Sequence, residues 1–167
     1  MITPHGTRGQ GPRGPELHLE RRYAAPIDTV WAAVTESDRL ARWIGRWERD
    51  AAGDLIFYMT AEGDDVEGEK YTILECTPPN RLSVDTSVGE NTWHLRLELE
   101  RDGDGTILRF AQVIADDDMG NVGPGWEYYL DRLGAVLADR NPSAVSWDDY
   151  YPAMRAYYSA LSRDGED

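Results

Sequence analysis

Residues 123–140 read Gly-Pro-Gly-Trp-Glu-Tyr-Tyr-Leu-Asp-Arg-Leu-Gly-Ala-Val-Leu-Ala-Asp-Arg, and this stretch decides the fold. Trp126, Leu130, Leu133 and Leu137 recur at i, i+4, i+7 and i+11, with Tyr129 beside them. That spacing predicts a long helix with one continuous apolar face. Gly-Pro-Gly before it and Asn141-Pro142 after it predict its two ends. Trp126, Tyr129, Leu130 and Leu133 are expected to face the interior, with Glu127, Asp131 and Arg132 outward or at the margins. A run of strands precedes this segment. A long amphipathic helix arriving after a sheet is most economically laid across it, so that both apolar faces are buried.

Working back from the helix, the strands alternate cleanly. Leu108, Phe110 and Gln112 share a face, opposite Ile107, Arg109 and Ala111. Asp102-Gly103-Asp104-Gly105 is a hairpin turn joining this run to Trp93, Leu95, Leu97 and Leu99. Earlier come a turn at Gly89-Glu90-Asn91, the run Leu82, Val84 and Thr86, the stop Pro78-Pro79-Asn80, and the run from Tyr71 and Ile73 through Cys76. Leu55, Phe57 and Met59 alternate before that, and Trp47 lies in another short run. Polar outer faces and short turns mean antiparallel pairing.

Near the start, Leu17 and Leu19 share a face with Arg21 and Tyr23 in a first strand over Glu16–Tyr23. Ile27, Val30, Trp31 and Val34 then make a short helix after Pro26, and Ser37 is placed as the N-cap of a second. Beyond the long helix, Tyr150, Met154, Tyr157, Tyr158 and Leu161 form an aromatic helical stripe, which Pro152 either kinks or begins. Residues 1–15, rich in glycine and proline, read as a disordered leader before a single domain over 16–162. The expected class is α+β: a curved antiparallel sheet wrapped around a long C-terminal helix, with two short helices after strand 1 and an extra C-terminal helical segment.

A chain of 167 residues with 41% hydrophobic and 29% charged residues is ordinary for one globular domain. Its net charge of −14 argues against nucleic acid and anionic membranes as partners. No apolar run is long enough to span a bilayer and no signal-peptide core is present, so the expected location is the cytoplasm. Cys76 is the only cysteine and is expected to be a buried, inert thiol. His5, His18 and His94 do not converge in the sequence pattern. Asp102 and Asp104, and Asp116-Asp117-Asp118, lack the further oxygen ligands of a calcium loop, so no metal or cofactor is expected.

Several strings resemble a known family. They are Glu20-Arg21 through Ala25-Pro26, Val30-Trp31, Leu40-Ala41-Arg42-Trp43, Pro78-Pro79-Asn80-Arg81-Leu82, Gly125 through Leu133, and Trp147 through Pro152. In this order they are similar to the SRPBCC superfamily, which has the helix-grip fold of the birch-pollen allergen and START domains. Within it the resemblance is to the family related to the activator of the ninety-kilodalton heat-shock protein's ATPase. It spans residues 16 to about 160, with one departure: Gln112 stands where members often carry histidine.

The resemblance implies a cavity between sheet and long helix for a lipid, sterol, polyketide or other small hydrophobic molecule. The candidate ligand-binding set is Phe57, Met59, Tyr71, Trp93, Leu95, Phe110, Trp126, Tyr129, Leu130 and Leu133, with Arg21 and Gln112 as polar anchors. An inward Arg21 needs a partner, either a structural ion pair or a ligand carboxylate or carbonyl. The leading expectation is binding of a small apolar or amphipathic molecule. A chaperone-ATPase-regulating interaction module and a cyclase- or hydrolase-like enzyme using the same cavity are the alternatives. No catalytic residue is assigned.

Overall fold

The computed structural model describes residues 2–63, 66–88, 90–114 and 118–163. Asp116 and Asp117, and Gly89 of the expected turn, lie outside them. Eight strands form one antiparallel sheet: β1 (Thr7–Gly11), β2 (Gly14–Tyr23), β3 (Arg46–Arg49), β4 (Leu55–Tyr58), β5 (Glu69–Thr77), β6 (Arg81–Val88), β7 (Asn91–Asp102) and β8 (Gly105–Val113). Their spatial order is β1-β2-β8-β7-β6-β5-β4-β3. Helices α1 (Ile27–Thr35) and α2 (Ser37–Leu40) follow β2, α3 (Met119–Leu137) follows β8, and α4 (Arg155–Arg163) comes last. The curved sheet around a long C-terminal helix is the helix-grip architecture the residue pattern predicts.

Strand alternation carries through to the core. Leu17 and Leu19 of β2 pair with Gln112 and Phe110 of β8, and Leu99 of β7 pairs with Leu108. All six are buried, together with Leu130 and Leu133 of α3. The helix begins four residues earlier than its breakers suggest. Asp118 caps it, its carboxylate accepting the Gly120 N–H at 3.0 Å, and Pro124 lies inside it. One lost backbone bond at Pro124 is tolerated because packing, not local propensity, holds this segment. Ser37 is the first residue of α2 and not its cap. Its hydroxyl instead donates to the Trp47 carbonyl at 2.6 Å and accepts the Trp47 N–H at 2.9 Å, tying α2 to β3.

The expected disordered leader is a strand over Thr7–Gly11. β1 pairs with β2 from Thr7↔His18 to Gly11↔Gly14. Its glycines mark close approach: a Cβ on Gly9 would run into the His18 ring, and one on Gly11 into the Glu16 carboxylate. Cys76 is exposed and not buried. The register of β5 slips between Ile73 and Glu75, and Ile73, Leu74 and Cys76 around that point are all exposed. The C-terminal stripe starts after Pro152, as a helix from Arg155.

The largest departure from the sequence reading is Glu127. It is fully buried and lies on the inner side of α3. Its carboxylate accepts the His5 N–H at 2.6 Å and the Gly6 N–H at 3.2 Å, the Tyr158 hydroxyl, and the Arg21 guanidinium. Arg21 also donates to Asp131 at 3.2 Å, and Asp131 accepts the Tyr150 hydroxyl at 2.6 Å. Four separated segments thus meet at one anion. Burial alone would raise the Glu127 carboxyl, but the donors from Tyr158 and His5 and the charge of Arg21 outweigh it and hold the carboxyl below its ordinary range.

Candidate functional site

Between the sheet and α3 lies a cavity of about 170 Å³. Its floor is the inward row of β6 (Leu82, Val84, Thr86) with Leu95 and Leu97 of β7. Phe110 of β8 and Trp126 and Leu130 of α3 close the opposite side, the two aromatic rings 4.3 Å apart. Val34 of α1, Leu40 of α2, and Trp43 and Ile44 after it fill one flank. Trp43 is locked there by its indole N–H on the Ala33 carbonyl at 2.9 Å. Phe57, Met59 and Tyr71 form the far end, with Phe57 and Tyr71 stacked at 5.7 Å.

Eight of the twelve expected residues therefore line this space: Phe57, Met59, Tyr71, Trp93, Leu95, Phe110, Trp126 and Leu130. The other four are placed elsewhere. Arg21 faces Glu127 and Asp131, so its guanidinium serves a structural ion pair. Gln112 is fully buried and accepts the Trp126 indole N–H at 2.6 Å, fixing that ring instead of lining the cavity. Leu133 packs in the core beyond the cavity's edge. Tyr129 turns toward an outer groove and donates its hydroxyl to Glu62 at 3.2 Å.

Polar lining residues were missing from the expected set. Thr86 is 7% exposed, and its hydroxyl oxygen makes no hydrogen bond of normal geometry. It still stands near enough to the Glu69 carboxyl to offset part of that group's upward shift. Burial first, and the neighbouring charge of Glu62 second, push Glu69 above the ordinary carboxylate value. Thr86 follows Leu82 and Val84 at strand parity, and Glu69 precedes Tyr71 by two, so alternation could have found both. Glu62 sits in a short 3-10 turn over Thr60–Glu62, for which no periodic signal exists.

Outside the cavity is a groove lined by Trp93, Gly125, Trp126, Tyr128, Tyr129 and Trp147. Met59, Glu62, Trp93 and Trp126 border both spaces. Ring contacts run without a break from Phe110 through Trp126, Tyr129, Tyr128 and Trp147 to Tyr151. Among the described residues no three histidine, cysteine, aspartate or glutamate side chains group as metal ligands. No helix among them is long and apolar enough to cross a membrane.

A sheet gripping one long helix around a mainly apolar cavity defines a helix-grip protein of the SRPBCC type. The chain belongs to the family described as Activator of Hsp90 ATPase homolog 1-like protein, which matches residues 24–138. The crystal structure of CalU16 from Micromonospora echinospora superposes with a TM-score of 0.71 at 27% identity, covering 96% of this chain and 98% of that one. EF2215 from Enterococcus faecalis, a conserved protein of unknown function, has a TM-score of 0.68 at 18% identity, covering 97% and 92%. DynU16, a protein from the dynemicin biosynthetic locus, has a TM-score of 0.62 at 17% identity over 76% of this chain and 49% of its own. At these lower identities the likeness concerns the fold. No curated protein matches the chain.

Proposed function

We propose that this protein binds a small apolar or amphipathic molecule in the cavity between the sheet and α3. The observation that carries the reading is a mainly apolar cavity of about 170 Å³ between the sheet and α3. A packed core leaves few voids larger than a water molecule, and an apolar cavity of roughly 150 Å³ is known to accept benzene. The space suits one aromatic ring or a short alkyl chain. Removing roughly 200 Å² of ligand from water is worth about 5 kcal/mol before ordering costs are subtracted.

Titration with small aryl hydrocarbons, followed by NMR at the Trp93 and Trp126 indoles and the Phe110 ring, tests this. Saturable shifts at those residues are expected, and Leu95→Phe, which fills the space, should abolish them. A wild-type protein unmoved by every hydrocarbon would defeat the reading. Arg21, expected as a polar anchor, is ion-paired outside the cavity and so brings no charge to the ligand.

A further inference from the structure

The cavity and the aromatic groove share a border formed by Met59, Glu62, Trp93 and Trp126. Two features of that border constrain what can cross it. First, its charge is negative. Glu62 and Glu69 both reach the cavity wall, and Glu62 is the one acidic or basic residue among the described residues lining the groove. Arg96 is the only cation among the described residues at the cavity wall. Its guanidinium is engaged by Glu16 through two bonds of 3.0 and 3.1 Å, so it offers no counter-ion to an incoming acid. Second, Trp126, Tyr129 and Trp147 line the groove beside Glu62, while the Tyr128 ring already carries the Arg132 guanidinium 5.5 Å from its centroid. Aromatic faces next to a carboxylate attract an organic cation through both the ring quadrupoles and the charge.

The Thr86 hydroxyl, buried in the wall of the inner space beside the Glu69 carboxyl, makes no hydrogen bond of normal geometry. A polar group so placed costs free energy unless it is hydrogen-bonded. The two spaces differ in character, with the inner one apolar and ring-sized and the outer one aromatic and acidic.

We propose that cavity and groove form one bipartite site for a small amphipathic amine. Its aryl or alkyl body enters beneath α3, while its ammonium stays at Glu62 against the aromatic wall. The proposal rests on the cavity reading above and adds the ligand's charge to it. Neutral molecules of the same shape fill only the inner half. Carboxylates of that shape meet Glu62 and Glu69 at the entrance and are rejected.

Phenylbutylamine, butylbenzene and phenylbutyrate share one body and differ in charge, so titrating the protein with each separates the two claims. The amine should bind about tenfold more tightly than the hydrocarbon, and the acid more weakly than either. The amine should move the Trp147 indole, which borders only the groove, whereas butylbenzene should move Trp93 and Trp126 alone. Glu62 is exposed, so Glu62→Gln should leave the fold intact. It should bring the amine's affinity down to that of butylbenzene, both measured in the same variant. Equal binding of amine and hydrocarbon, or an amine preference that survives Glu62→Gln, overturns the bipartite site and leaves the cavity reading standing. If none of the three binds, both fall.

Discussion

At the scale of single residues, Glu127 governs more of the structure than any apolar side chain of α3. Its partners come from the N-terminal segment, β2 and α4, and each donates to the same carboxylate. Removing one member of a buried ion pair strands the other, so Glu127→Gln should cost about 3 kcal/mol of unfolding free energy in urea titrations at neutral pH. The sign of the pH dependence follows from the carboxyl being held below its ordinary value of 4.5. Its stabilisation is complete above that value and is lost as pH falls through the lower, folded-state pKa. Wild-type stability should therefore decline in acid more steeply than that of Glu127→Gln, and the two curves should converge. Glu16, held low by Arg96 and His18 against the opposing effect of burial, adds to the same acid limb in both proteins. Sequence periodicity placed Glu127 outward because a helical wheel knows only polarity. The wheel has no access to four donors arriving from distant segments.

Among the elements, α3 shows what local sequence conveys and what it omits. The i, i+4, i+7 spacing identified the helix and its buried Leu130 and Leu133. Its start was misplaced because Gly123-Pro124-Gly125 looks like a breaker, whereas the Asp118 cap and packing against α4 carry the helix through it. The two flanking glycines are not equivalent. A Cβ at Gly123 would penetrate the buried Tyr158 ring, while one at Gly125 would meet no atom within 4 Å. Gly123→Ala should thus lower stability by about 1–3 kcal/mol through overpacking. Gly125→Ala should raise it by about 0.5–1 kcal/mol, because alanine loses less backbone entropy in a helix. Thermal melts of the two variants should move in opposite directions. Strand faces were legible wherever alternation was uninterrupted, which is why Leu82, Val84, Leu95 and Phe110 fall where parity puts them. They were not legible past the slip in β5, where Cys76 emerges into solvent. The cavity's apolar wall was readable for the same reason its acidic border was not: periodic strands have a pattern, and the turn holding Glu62 does not.

At the scale of the whole molecule, the N-terminal segment is a structural member of the domain. β1 extends the sheet, the Tyr157 hydroxyl donates to the Gly6 carbonyl at 2.7 Å, and Arg8 donates to the Ser162 carbonyl at 2.9 Å. Deleting residues 1–11 removes two backbone donors to a buried carboxylate, each worth about 1.5–3 kcal/mol. The truncated protein should lose about 3 kcal/mol or more in urea unfolding, whereas a disordered leader could be removed without effect. The low apolar content that suggested disorder has a different origin, because Gly9 and Gly11 are small to admit His18 and Glu16. The unbroken file of rings from Phe110 to Tyr151 gives the folded chain an optical property. Indole emission depends on the polarity around the ring, and Trp126 stands at the inner end of that file with its N–H held by Gln112. Trp147 stands at the outer end, 40% exposed. With the other four of the six tryptophans replaced by phenylalanine, one indole would look into the cavity and one into water, and the two would report the interior and the surface at different wavelengths without any added dye.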